Sequence, residues 1–312
     1  MCNKISLCGC SIKILNPFKK KHMSIDRKLI KTYSSPAKPG FLGAGHSARA
    51  VIQGDYSETD PFILLMDDML DKKDDEPAGG PHPHAGFETV TLMLEGEIGD
   101  GEHTMKAGDL QMMTAGKGVV HTESITKKAK MRLLQLWLNL PKKDRWITPR
   151  VQDISLDHVP TLIEKGMEMK LYSGSLSGIS SPLQNHVPVI IAEFTLQPKF
   201  STVLQLPANH TTFLYVLEGN ILVGKDKKPL SQHQTGWLDK SDEETDSDLI
   251  LGTDDSVAHF VLYSGKPQGD SIISHGPFIG DSQEDIIRLY QDYRSGKMKH
   301  ISTASGEQKL VW

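Results

Sequence analysis

The sequence predicts an all-β protein of two tandem, jelly-roll-like β-barrels with one short C-terminal helix, and three observations carry that expectation. Short runs rich in Val, Ile, Leu, Thr and Phe recur between Gly- and Pro-bearing turns, among them "PFILLM" (61–66), "FETVTLMLEGE" (87–97), "MRLLQLWLNL" (131–140), "VPVIIAEFTL" (187–196) and "AHFVLYSG" (258–265). Many short strands at regular spacing are the pattern of sandwiches and barrels. The phrase "LMLEGEI" at 92–98 returns as "YVLEGNI" at 215–221, an offset of 123 residues. A repeat of that length is a whole domain. Helical periodicity is scarce, its clearest instance being "SQEDIIRLYQDYRSGK" at 282–297.

Each element follows in order. Residues 1–22 are expected to be an N-terminal extension, disordered or preceding the true start, because Met23 opens "MSIDRKLIKTY" like a natural beginning. Residues 23–157 form the first domain and 158–312 the second, with the Pro- and charge-rich stretch 141–160 as the connection. The closing helix spans about 282–296. Ser282 can cap it, acidic residues fill its first turn, Ile286, Leu289, Tyr290 and Tyr293 form its apolar stripe, and Gly296 ends it.

Composition narrows the function classes. A net charge of -4 over 312 residues, with Lys and Arg scattered apart from Lys19–Lys21, gives no footprint for nucleic acid or a membrane surface. No apolar run approaches the ~18 residues of a spanning helix. The three cysteines, Cys2, Cys8 and Cys10, all precede the globular part, so no disulfide frames the fold. That usage suits a reducing compartment, the cytoplasm, with the nucleus open in a eukaryote. Leu7-Cys8-Gly9-Cys10 has the look of a lipidation box, but the apolar stretch before it is too short. A protein acting on a small molecule is the default.

The chemistry concentrates in two short motifs. His82 and His84 are one residue apart, as are His121 and Glu123 in "KGVVHTES". In an extended chain residues i and i+2 share a face, so each pair can present two ligands together. Imidazole and carboxylate suit a divalent first-row metal, and three His plus one Glu leave positions open on an octahedral ion. A lone His-x-His is more often a turn than a ligand pair; the His-x-Glu some forty residues on, after the Gly-rich "AGDLQMMTAGKG", changes that. His103, in a Gly-flanked polar loop, reads as a solvated turn histidine.

This layout resembles the cupin superfamily, with His82, His84, Glu88 and Gly96 in a first motif and Gly108, Gly116 and His121 in a second. Glu88 sits one residue too early for the usual ligand carboxylate, Thr114 stands where proline is usual, and His121 comes two residues late. With "DPFILL", "PHPHAGFETVTLMLEGE", "AGDLQMMTAGKGVVHTE" and "LQLWLNLP" in that order, the chain over about 25–300 resembles the pirin family of bicupins. The resemblance implies His82, His84, His121 and Glu123 as ligands of a divalent metal, iron(II) in particular though other first-row metals suit the set. It makes Glu88 a structural residue, expected as a carboxylate hydrogen-bonded near a ligating imidazole. It also implies a dioxygenase that takes O2 and a small aromatic chelating substrate of the quercetin type. There Glu123 would double as the catalytic base toward a substrate enol. Phe87, Met93 and Met113 are candidates for the cavity wall by register alone, and ordinary core is the preferred reading of each.

The second repeat has lost these ligands. The offset of 123 places Gln205 at His82 and Pro207 at His84, and "TGWLDKSDEETDSDLILGTDDS" holds no His-x-Glu. His210 and His233 read as surface or loop residues, and the acidic run 239–248 as a solvated loop. A second role is implied by the same family: an iron-dependent regulatory module that binds a protein partner without turnover. A sugar-phosphate isomerase would need cations converging on the pocket, and the segments around the first motif offer few.

Overall fold

The computed structural model describes residues 25–99 and 104–312. The expectations for residues 1–22, their three cysteines, the start at Met23 and His103 lie outside the described residues. The first half comprises β1 (Leu29–Ser34), β2 (His46–Ala50), β3 (Phe62–Lys72), β4 (Ala78–His84), β5 (Phe87–Glu95), β6 (Leu110–Thr114), β7 (Val119–Ile125), β8 (Ala129–Asn139) and β9 (Arg150–Ile154). The second comprises β10 (Met167–Ser173), β11 (Val189–Leu196), β12 (Ser201–Pro207), β13 (Thr211–Glu218), β14 (Gln234–Leu238), β15 (Asp246–Gly252) and β16 (Ala258–Gly265). α1 (Gln283–Arg294) and β17 (Lys309–Val311) close the chain. β9 lies inside the stretch expected to be a connection.

One large sheet runs β17-β9-β6-β5-β8-β3-β2 and ends on Lys38–Pro39, while β4 and β7 pair with each other in a separate two-stranded ribbon. In the second half a sheet runs from Thr161–Glu164 through β10, β11, β16, β13 and β14 to β1, and β12 pairs with β15 in a separate sheet. Each domain is therefore a pair of sheets rather than a fully closed barrel. Pro81 and Pro83 contribute to the break, because neither can donate to a ladder on the outer side of β4.

Alternation explains why the strands are apolar on both faces. Leu134, Leu136 and Leu138 of β8, with Val90 and Leu92 of β5, pack against Tyr172, Val189, Ile191, Phe213 and Tyr263 of the second half. Met131 and Leu133, out of phase with them, pack instead with Leu70, Met93 and Ile125. Strands buried on both sides read as continuous apolar runs. One polar cluster sits within the interdomain core: Asp67 accepts two hydrogen bonds of 2.8 Å from Arg132 and one of 2.6 Å from the Tyr215 hydroxyl. Burial and the Asp67 charge push that phenol well above its ordinary range.

The second domain is filled by its own side chains. Phe194 and Phe260 stack at 5.1 Å between Leu204, Leu206, Leu214 and Leu249, all buried. Its register shows what stands where the first domain has His82 and His84. In the first domain His82 faces His121 and Gly80 faces Glu123; in the second Gln205 faces Asp248 and Val203 faces Ile250, with Pro207 opposite Asp246. Arg27, 1% exposed, donates to the carbonyls of Pro207 and His210 at this end. Burial lowers its guanidinium to about 10. His210 lies in the loop between β12 and β13, one of the two settings expected of it, but it is buried at 8% exposure with Arg27 donating to its carbonyl; burial holds its imidazole down at about 4. His233 is half-buried in a turn at φ 63°.

The two ends of the described chain cross over. β1 pairs with β14 of the second domain, and β17 pairs in parallel with β9 of the first. α1 forms as expected, with Ser282 and Asp285 in a reciprocal capping box and Gly296 at φ 70° beyond its end. Ile286 and Leu289 are buried against Phe278 and Ala85, whereas Tyr293 is 39% exposed and drops out of the stripe.

Candidate metal centre

β4 and β7 form a two-stranded ribbon, and its register brings the two sequence motifs together. His82 lies directly opposite His121, and each strand's i, i+2 pair shares a face. Gly79 makes the close approach possible. At φ 79° it has a backbone that side chains rarely adopt, and a Cβ there would stand 2.0 Å from the Glu123 carbonyl oxygen. The Gly-Gly pair thus lies within the histidine-bearing strand and sets it against β7.

One nitrogen from each of His82, His84 and His121 lies within 4.8 Å of the others. His82 Nδ1 is 3.0 Å from the Gly80 carbonyl, a contact it makes as an N–H donor, which leaves the Nε2 lone pair facing inward. His82 Nε2 and His121 Nε2 stand 2.8 Å apart. Two nitrogens held at about 2.1 Å from one ion and at a right angle are separated by about 3 Å. His84 Nδ1 is buried and has no partner. Burial first and the neighbouring imidazoles second hold His84 down at about 3 and His121 at about 2. Neutral imidazoles, one orphaned nitrogen and one pair of nitrogens facing each other fit a divalent cation.

Glu123 stands one step back. Its Oε2 is 3.9 Å from His82 Nε2, outside the tight imidazole cluster. Crowding by surrounding protein raises its carboxyl, the His82 ring lowers it, and Asp68 raises it, with a net upward shift.

The cluster opens into a cavity of about 930 Å³, whose wall includes Leu64, Met66, Leu133, Trp137, Phe41 and Asp68. That volume lies in the range of drug-sized ligand sites, about 300–1,000 Å³. Phe87, Met93 and Met113 do not line it. Phe87 is fully buried behind the site, 5.3 Å from the His84 ring and 4.3 Å from Trp137; Met93 and Met113 are core. Sequence reasoning missed Trp137, His46 and Asp68. The alternation of β8 could have singled out Trp137 as sharing a face with Met131 and Leu133, but nothing local marks the other two.

Glu88 departs from its expected surroundings. It is fully buried and accepts a 2.6 Å hydrogen bond from the Thr114 hydroxyl rather than from an imidazole, while Oε2 has no partner. It alternates with Phe87 along β5, so it points away from the His84 side. Burial pushes its carboxyl up to about 7 against an ordinary 4.5. The folded chain therefore keeps a proton that the unfolded chain releases, and native stability falls as pH rises from about 4.5 to about 7. Glu88→Gln removes that ionisation. Urea titrations at pH 5 and pH 8 should show the variant gaining on the wild type by on the order of 2–3 kcal/mol at the higher pH; a constant difference would contradict a buried, protonated Glu88.

The fold and site define a class: a two-domain cupin with its histidine cluster confined to the first domain. The Pirin profile matches residues 45–138, and that of the pirin C-terminal cupin domain matches 191–299. Pirin from Homo sapiens is 33% identical over 258 residues, spanning 80% of this chain and 86% of the relative. The chain belongs to the pirin family. Quercetin 2,3-dioxygenase from Acinetobacter baumannii superimposes with a TM-score of 0.76 at 26% identity, covering 89% of this chain and all of that one. Bacterial pirin YhhW from Escherichia coli, solved with nickel(II), shares the fold at a TM-score of 0.57 and 18% identity, covering 76% of this chain and all of its own. Among the described residues no helix is long and apolar enough to cross a membrane.

Proposed function

We propose that this pirin-family protein is an iron(II)-dependent dioxygenase that takes O2 and a quercetin-like flavonol or a related chelating aromatic. The observation that carries the reading is the three-imidazole cluster opening into a mainly apolar cavity large enough for a fused-ring substrate. His82, His84, His121 and Glu123 hold the metal. When bound there, the ion would supply Lewis acidity toward a chelating substrate.

The protein's own groups do the rest. The Glu123 carboxylate, beside the imidazole cluster and on the cavity wall, is placed to accept the proton of the substrate's enol hydroxyl, leaving an electron-rich ring system. Leu64, Met66, Leu133 and Trp137 bury the aromatic body and keep water from it. Phe87 and Trp137 brace the His84 ring edge-on, fixing its aim. The A. baumannii quercetin 2,3-dioxygenase, similar over nearly the whole chain, supports this substrate class.

The test is anaerobic reconstitution with Fe(II), then oxygen uptake with quercetin by the wild type, His84→Ala and Glu123→Gln. Uptake by the wild type alone supports the proposal. Iron retention without uptake sinks the enzymatic reading in favour of a metal-dependent binding module, and variants that match the wild type sink the site.

A further inference from the structure

The cavity has a second polar feature, far in sequence from the metal motifs. β3 alternates so that Leu64, Met66, Asp68 and Leu70 face the cavity while Asp67 faces the domain interface. Asp68 is thus a carboxylate set into a mainly apolar wall, its side chain only 18% exposed. It is held there by His46 of β2, which is 5% exposed and stands 2.9 Å away from Nε2 to Oδ1. His46 Nδ1 accepts the Leu42 backbone N–H at 3.1 Å, so the ring proton sits on Nε2 and is donated to Asp68. The turn around residue 40 wraps this imidazole so closely that a Cβ on Gly40 would stand 2.0 Å from Nδ1. Phe41 packs edge-on against the ring at 5.3 Å. The aim of Asp68 is therefore fixed from behind.

Asp68 Oδ1 is occupied by His46, and among the described residues Oδ2 has no hydrogen-bond donor. A carboxylate in apolar surroundings with an unused oxygen calls for a donor, and here the donor must come from the cavity's occupant. Asp68 and Glu123 line the same cavity, so one small aromatic molecule can reach both. Nothing in the proposed reaction uses Asp68.

We infer that Asp68, oriented by His46, is a specificity-determining residue that accepts a hydrogen bond from a hydroxyl of the aromatic substrate remote from its metal-chelating edge. His46 acts as a positioning residue. The inference rests on the proposed flavonol-type reading and narrows it: the preferred occupant is a polyhydroxylated aromatic, and the parent ring system with only the chelating edge binds less well.

The test compares quercetin with unsubstituted 3-hydroxyflavone, which keeps the chelating hydroxy-ketone edge and lacks every remote hydroxyl. Binding to the anaerobic Fe(II)-loaded protein is followed by quenching of tryptophan fluorescence. A hydrogen bond to a charged group is worth roughly a 10- to 100-fold preference for quercetin in the wild type. Asp68→Leu should abolish that preference by weakening quercetin alone, and Asp68→Asn, which keeps an acceptor for His46, should reduce it less. Binding of 3-hydroxyflavone by each variant reports that the cavity is intact. Equal wild-type affinities, or an equal loss for both ligands in both variants, overturn the role of Asp68 and leave the flavonol reading standing. If the iron-loaded wild type binds neither ligand, both fall together.

Discussion

His121→Ala is expected to strip the protein of retained divalent metal while leaving its fold in place. His121 is central to the cluster, with its Nε2 2.8 Å from that of His82 and its ring 4.9 Å from that of His84. Disturbing a group that merely orients a ligand already costs about 10- to 100-fold in metal affinity. Loss of a direct ligand should therefore exceed about 100-fold. Equilibrium dialysis followed by elemental analysis reads the result, and far-UV circular dichroism checks the fold. Wild-type metal content in the variant would mean that the imidazoles meet for another reason. One such reason is open to the metal-free protein, a neutral His–His hydrogen bond. In that case His121→Gln, which keeps a polar group there, would restore thermal stability without restoring metal.

Breaking the Asp67 cluster should have the largest effect on stability. Asp67 is fully buried, Arg132 is 17% exposed, and their paired 2.8 Å bonds lie inside the interdomain core. Removing one member of a buried pair leaves the other charge desolvated and typically costs about 3–5 kcal/mol. Asp67→Leu is therefore expected to lower the unfolding free energy by about that much. The combined Asp67→Leu, Arg132→Met, Tyr215→Phe protein should recover most of the loss, since an apolar replacement of similar volume is often neutral. Denaturant titration checks both. If the triple variant is as weak as the single one, the cluster contributes more than compensation for its own burial.

The clustering of the candidate residues was legible because strand geometry acts over two residues. His82 with His84, and His121 with Glu123, follow from i, i+2 spacing alone, whereas the pairing of His82 with His121 needed the ladder. The alignment of the repeats was legible too, since Gln205 and Pro207 fall in β12 at the registers that His82 and His84 hold in β4. His46 and Asp68 were not. They sit singly on neighbouring strands, and Asp68 adjoins an equally acidic Asp67 that faces the other way. A one-residue shift of phase separates an interface anchor from a cavity wall, and only the observed pairing sets that phase. Glu88 lies outside the imidazole cluster, and its expected neighbour was wrong because its face of β5 turns to the interior behind the site, where Thr114 donates to it. The burial of His210 within its loop was not legible for a related reason: Arg27, which donates to its carbonyl, comes from 183 residues away, at the other end of the chain.

The crossing of the chain's ends has a consequence for the whole molecule. A cut between the halves would leave the first piece carrying β1 with no β14 to receive it, and the second carrying β17 with no β9. Each fragment would also bare the large apolar face that the halves now share. Naked ladder edges beside such a face favour aggregation over refolding. The repeat thus reads as two modules in its amino-acid pattern, but its seams are sewn from both sides: neither half is a transplantable part, and the domain that carries no histidine cluster is held as firmly by the pattern of connection as the one that does.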